Sequence, residues 1–167
     1  MSEKLETSKT SGPHHQLSRL VGAWQGMVRT WFEPDNVADE SLISGTMKLI
    51  LDDRFIMHEY QGSFGDKPLQ GIAIYGYDLN QQKYQFAWMD SFHNGTAIMF
   101  SQGKKEDQQF NTLGSYAYIT PEIEQHWGWR TEINFVSDDE LLITAYNISP
   151  EGEETKATET AYKRVKE

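Results

Sequence analysis

Residues 83–90, KYQFAWMD, alternate without a break. Tyr84, Phe86, Trp88 and Asp90 share one face, and Lys83, Gln85, Ala87 and Met89 share the other. Three aromatics mark a side that faces a core, and a carboxylate ends it. Either the strand has left the core by residue 90, or a polar group sits inside. Comparable runs follow one another along the chain, at 22–33, 44–51, 54–62, 69–78, 83–90, 96–103, 108–118, 126–136, 140–148 and 155–165. Turn residues separate them: Asp52-Asp53, Gly65-Asp66, Asn80 to Gln82, His93-Asn94-Gly95, Ser137 to Asp139 and Pro150 to Glu154. Residues 34–41, PDNVADES, read as a loop.

About ten strands joined by short turns are antiparallel neighbours. No long helical segment exists to cover an open sheet, and closing the meander hides its edges. The expected fold is therefore all-β: a single closed, antiparallel, up-and-down barrel. A barrel of about eight strands is filled by side chains or holds one small ligand, so one of about ten has room for an interior cavity. Leu17, Leu20 and Val21 stand at helical spacing after Pro13, which predicts a short helix ended by Gly22. Residues 1–13 read as a flexible tail and 14–167 as the barrel domain.

Composition narrows the function. A chain of 167 residues with 13 % aromatics can bury a substantial core. The net charge of −10, with basic residues scattered, offers no stripe for phosphates and disfavours anionic membranes. The expectation is no nucleic acid and no membrane. Without Cys there is no disulfide, thiolate metal site or Cys nucleophile. The start, MSEKLETSKTSG, is polar and has no apolar segment, so it reads as no signal peptide, and a cytoplasmic setting is expected.

GAWQG at 22–26 follows the short helix and opens the first strand. Gly-x-Trp in this place resembles the signature of lipocalins and the wider calycin group. There the Trp plugs one end of the barrel and an Arg of the last strand lies over it, which implies Trp24 and Arg164 as barrel closure. A guanidinium stacks well on an indole face while its donors reach open carbonyls. The wider ordered set is HxxLxxLVGxWxGxxRTWFEP, DDRFxxxEYQG, LQGxxxYGYDxxxxKYxFxWxDS, SQG, WRTE and TETAYKR. It resembles the bacterial family known as domain of unknown function 1579, over His15 to Arg164. GYD (76–78) and WMDS (88–91) are its most distinctive pieces. The resemblance implies a calycin-type barrel and no established reaction. Many relatives read Gly-Arg-Phe where this chain has Asp53-Arg54-Phe55, a change that falls on a turn.

Candidate chemistry is sparse. There is no Gly-rich phosphate loop, no GxSxG elbow and no HExxH. Asp78 sits where it would cap a turn. Asp90 either caps the next turn or faces the cavity at the barrel mouth, where burial would demand a partner. Arg130 is a candidate partner, but alternation puts it outside beside Glu132 unless Gly128 bulges. His58 lies mid-strand with undecided parity. The other histidines lie in the helix (His14, His15), a turn (His93) and a strand start (His126), so no metal cage and no haem is expected.

The reading carried forward is a small hydrophobic or aromatic ligand held in the barrel. Phe86, Trp88, Trp129 and Tyr146 form its wall, with His58, Tyr60 and Asp90 as orienting polar groups. No cofactor or metal is called for. One alternative is an enzyme in the same cavity with Asp90 or His58 as general base. Another is a filled barrel acting as a structural or interaction module through an outer patch near Trp31 and Phe32, with a homodimer as one partner.

Overall fold

The computed structural model describes residues 2–167. Two short helices precede ten strands: α1 Ser2–Ser11, α2 Pro13–Ser18, β1 Gly22–Glu33, β2 Asn36–Ile50, β3 Phe55–Phe64, β4 Lys67–Asp78, β5 Lys83–Asp90, β6 Met99–Gln102, β7 Asn111–Ile119, β8 Glu124–Ser137, β9 Glu140–Ile148 and β10 Glu154–Arg164. Each strand pairs with its sequence neighbours, and β1 pairs with β10, so the sheet closes as an antiparallel barrel. Among the described residues no helix is long and apolar enough to cross a membrane.

Several local departures from the sequence expectation have physical reasons. The loop expected at 34–41 is mostly strand. Pro34 and Asp35 alone turn the chain, with Asp35 at φ 60, and β2 starts at Asn36. An Arg29–Glu40 ion pair then spans β1 and β2 across their solvent face. In contrast β6 is shorter than the 96–103 expected, with four residues, and touches β7 only at Ser101↔Gly114 and Gln102↔Leu113. Residues 1–13 were expected as a flexible tail, yet 2–11 are helical. With a single apolar residue, Leu5, this segment has no amphipathic stripe to reveal the helix. Tertiary contact holds it: Leu5 and Ser8 are buried, and the Ser8 hydroxyl accepts from the His14 backbone N–H at 3.2 Å.

The barrel's two ends are built differently. Near α2, Leu17, Leu20, Trp24, Tyr84, Phe110 and Leu141 are buried together in the interior. At the other end the cover is the connection from β5 to β6, residues 91–98. Phe92 stacks on Phe64 of β3 with ring centres 4.8 Å apart. His93 lies against the rings of Trp88 and Trp129. Ser91 ties the start of this turn to Gln70 of β4, and Asn94 donates to the Trp88 carbonyl.

Candidate functional site

Between the filled end and this cover lies a cavity of about 80 Å³. Its wall follows from alternation. β5 turns Phe86 and Trp88 inward, β4 Ala73 and Tyr75, and β8 Trp129 and Thr131. Phe86 lies parallel to Tyr75 at 5.2 Å and to Trp88 at 6.4 Å, and Trp88 stacks on Trp129 at 5.4 Å. Offset stacking at these separations is a favoured geometry of aromatic pairs.

His58 of β3 points inward and is 4 % exposed. Its Nδ1 meets the Tyr75 hydroxyl and its Nε2 the Tyr162 hydroxyl, both at 3.1 Å. Burial pushes the imidazole down to about 3, so it is neutral near pH 7. A neutral ring donates from one nitrogen and accepts at the other, and two hydroxyls satisfy both. Glycine makes room for this arrangement: a Cβ on Gly45 would come within 2.6 Å of both His58 Nε2 and the Tyr162 hydroxyl. His58 therefore has no free nitrogen to offer as a base.

Asp90 faces inward and is 7 % exposed. Its carboxylate is saturated. Oδ1 accepts from the backbone N–H groups of Phe92 and His93. Oδ2 accepts from the Tyr60 hydroxyl at 2.9 Å and from His93 Nδ1 at 2.6 Å. Tyr60 in turn accepts from the Trp88 indole N–H at 2.7 Å. The result is one chain of donors, Trp88 to Tyr60 to Asp90, met from the other side by His93. Burial alone would raise the Asp90 carboxyl, but the hydrogen bonds from His93 and Tyr60 outweigh it and hold the group below the usual carboxylate range. Burial pushes the Tyr60 hydroxyl well above the normal phenol range, with the Asp90 charge adding to the effect. The face that ends in a carboxylate thus stays inside, and the carboxylate is both turn cap and network centre.

His93 is the residue the sequence reading left in a turn. The bond from Nδ1 to a carboxylate fixes its orientation, and the ring forms part of the cavity wall. Its Nε2 has no hydrogen-bond partner among the described residues. An Asp at the end of a strand with a His three residues on was the available signal, but only the turn geometry brings the two side chains together.

Tyr146 is not on the cavity wall. β9 turns Ile143 and Ala145 inward, so Tyr146 faces outward and lies under the Arg130 guanidinium, 4.1 Å from ring centre to Cζ. The sequence reading placed it inside because an aromatic in an apolar strand looks like core. Here a cation over the ring and a hydrogen bond from its hydroxyl to Glu132 at 3.2 Å make the outer site. Arg130 is also outside. It pairs with Glu132 at 2.8 Å and with Glu154 at 2.7 Å, and does not approach Asp90. Trp31 sits below the Lys156 amine, while Phe32 is exposed and packs on Phe64.

At the filled end the expected closure pair is present. Arg164 stacks over Trp24 at 4.3 Å and donates to the carbonyls of Arg19, Val21 and Asp138. The Trp24 indole donates to Leu20 at 2.8 Å.

The sequence profile of a protein family described only as of unknown function, DUF1579, matches residues 9–164, and the chain belongs to that family. No curated protein matches it. Among solved structures it is similar to an S-type phycobiliprotein lyase from Guillardia theta, at 12 % identity, with 92 % of each chain covered and a TM-score of 0.54. A designed fluorescence-activating β-barrel aligns at 13 % identity over 89 % of this chain and 96 % of its own, with a TM-score of 0.48. The likeness to the lyase supports the barrel architecture and says nothing about chemistry.

Proposed function

We propose that this protein binds a small, flat, mostly apolar molecule inside the barrel, beneath the 91–98 turn. The observation that carries the reading is the stacked wall of Tyr75, Phe86, Trp88 and Trp129 around a cavity instead of a packed centre. Apolar walls with a few placed polar groups are the usual composition of small-molecule sites. The cavity's volume of about 80 Å³ sets the ligand's scale. It is roughly half of the ~150 Å³ that receives a benzene, so a single-ring ligand enters only as the 91–98 turn gives way. That turn is the part of the wall without strand pairing on both sides, whereas the Trp24 end is sealed.

Catalysis by Asp90 or His58 finds no support in the geometry, since neither has a free lone pair or proton for a substrate. Both serve to hold the wall in place.

The test is a titration with toluene, followed by the indole N–H resonances. The expected result is a concentration-dependent shift of Trp88 and Trp129, while Trp31 on the outer wall stays fixed. Equal small shifts of every indole, or none at Trp88 and Trp129, would contradict an interior site.

A further inference from the structure

Two polar atoms at the cavity make no hydrogen bond within the chain. The first is Nε2 of His93, a residue that stands exposed at the rim. The second is the hydroxyl of Thr131, which lines the same cavity, is 3 % exposed and has no hydrogen bond. Thr131 lies one inward position deeper along β8 than Trp129, and the His93 ring rests near that indole at 6.1 Å. A buried hydroxyl left unpaired costs about 1–3 kcal/mol. Proteins rarely carry that cost without a water or ligand to relieve it. The cavity is also not uniformly apolar, since Thr158 and Thr160 of β10 join the wall.

We propose that His93 and Thr131 form a polar anchor for a small ring that carries an acidic hydroxyl, the phenol class. This rests on the reading of the interior as a ligand site, and adds to it the ligand's chemistry. Its logic lies in the Asp90–His93 pair. With Nδ1–H committed to the carboxylate, the neutral imidazole presents Nε2 as an acceptor. A phenolic hydroxyl donates to it. The Asp90 carboxylate on Nδ1–H strengthens Nε2 as an acceptor, which suits an acidic hydroxyl. The ring of such a ligand would lie along Trp88 and Trp129, and the Thr131 hydroxyl would gain its missing partner. Since His93 is only three residues from Asp90, and that carboxylate also caps the turn's backbone, the anchor and the turn move as one piece when a ligand enters. A ligand lacking the hydroxyl would leave the buried Thr131 hydroxyl unpaired, and that is the source of discrimination.

The experiment compares phenol with toluene, of similar size, on the full chain. Binding is read from the Trp88 and Trp129 indole resonances. The expected result is phenol bound at least about tenfold more tightly than toluene, the equivalent of one buried hydrogen bond. In His93→Phe, which keeps a flat ring at the mouth, the phenol-to-toluene ratio should fall to about three, the share left to Thr131. Thr131→Val keeps the shape and removes the hydroxyl, and should lower the ratio by about threefold; it serves as the test should the His93 variant fold poorly. Equal affinity of the wild type for both probes, or a ratio unmoved by both substitutions, overturns the anchor while leaving the apolar cavity standing. Failure of both probes to move Trp88 and Trp129 overturns the interior site and the anchor together.

Discussion

The two ends of this barrel use the same materials to opposite effect. Each has an indole, a charged side chain and backbone hydrogen bonds. At the Trp24 end Arg164 spends its bonds on distant parts of the chain. Arg164 of the last strand ties down the carbonyls of Arg19 and Val21 before the first strand and of Asp138 between β8 and β9. The Trp24 indole ties to α2's exit at Leu20. Such cross-links resist any local opening. At the mouth, Asp90 takes three of its four bonds from its own turn, two from the backbone of Phe92 and His93 and one from His93 Nδ1. The fourth reaches the neighbouring wall at Tyr60, which Trp88 bonds in turn. Polar atoms also remain unpaired there, including Asn94 Oδ1 in the turn and Thr131 Oγ1 in the wall. The difference teaches that buried polar groups seal a barrel when they join remote segments. They prepare a site when they organise one segment and leave donors or acceptors over.

Substitutions at the two ends should therefore separate stability from binding. The largest loss is expected for Trp24→Ala, about 3–5 kcal/mol in chemical denaturation, because a fully buried indole leaves a cavity and strands Arg164. A change below 1 kcal/mol there would collapse the distinction between the ends.

Between the ends, His58 tests how dry the interior is. Its folded-state pKa of about 3 lies below the ordinary value of 6.5, so the unfolded chain binds the extra proton first. Stability should fall by up to a few kcal/mol as pH drops from 6.5 toward 3. Relative to the wild type, His58→Gln should be least disadvantaged at the acid end. A pH-independent difference between the two would mean that His58 is hydrated in solution.

At the mouth, Asp90→Asn should cost about 1–2 kcal/mol at neutral pH, the value of a charge-assisted network partly retained by the amide. Asp90 has a depressed folded pKa, so its contribution is present above the carboxyl's unfolded value of about 3.9 and fades as pH falls further. The difference between wild type and Asp90→Asn should shrink accordingly in acid denaturation. The smallest effect is expected for Tyr146→Phe on the outer wall, within about 0.5 kcal/mol. That variant should titrate with toluene as the wild type does. A lost response would put Tyr146 back on the cavity wall.

Much of the fold was legible because alternation in an up-and-down barrel is local. KYQFAWMD alone identifies β5's inner face, Asp90 included. Trp24 and Arg164 were legible through a recurring pattern at the chain's two ends. What failed was local in a different sense. Tyr146 needed knowledge of Arg130 across β8–β9, since an outward aromatic under a guanidinium and an inward aromatic look alike in one strand. His93 lay hidden because a turn's conformation, not a strand's period, places it against Asp90. The helix at 2–11 rests on contacts of Leu5 and Ser8 that no periodicity announces.

The central claim, that the interior is a ligand site closed by a movable turn, is tested most directly by native mass spectrometry. Protein purified from cells would be compared with the same sample denatured. The account predicts a small additional mass in the native spectrum that is absent after denaturation and lost in Trp88→Ala. A clean apo mass, together with no adduct when the sample is supplied with phenol or toluene, would contradict it.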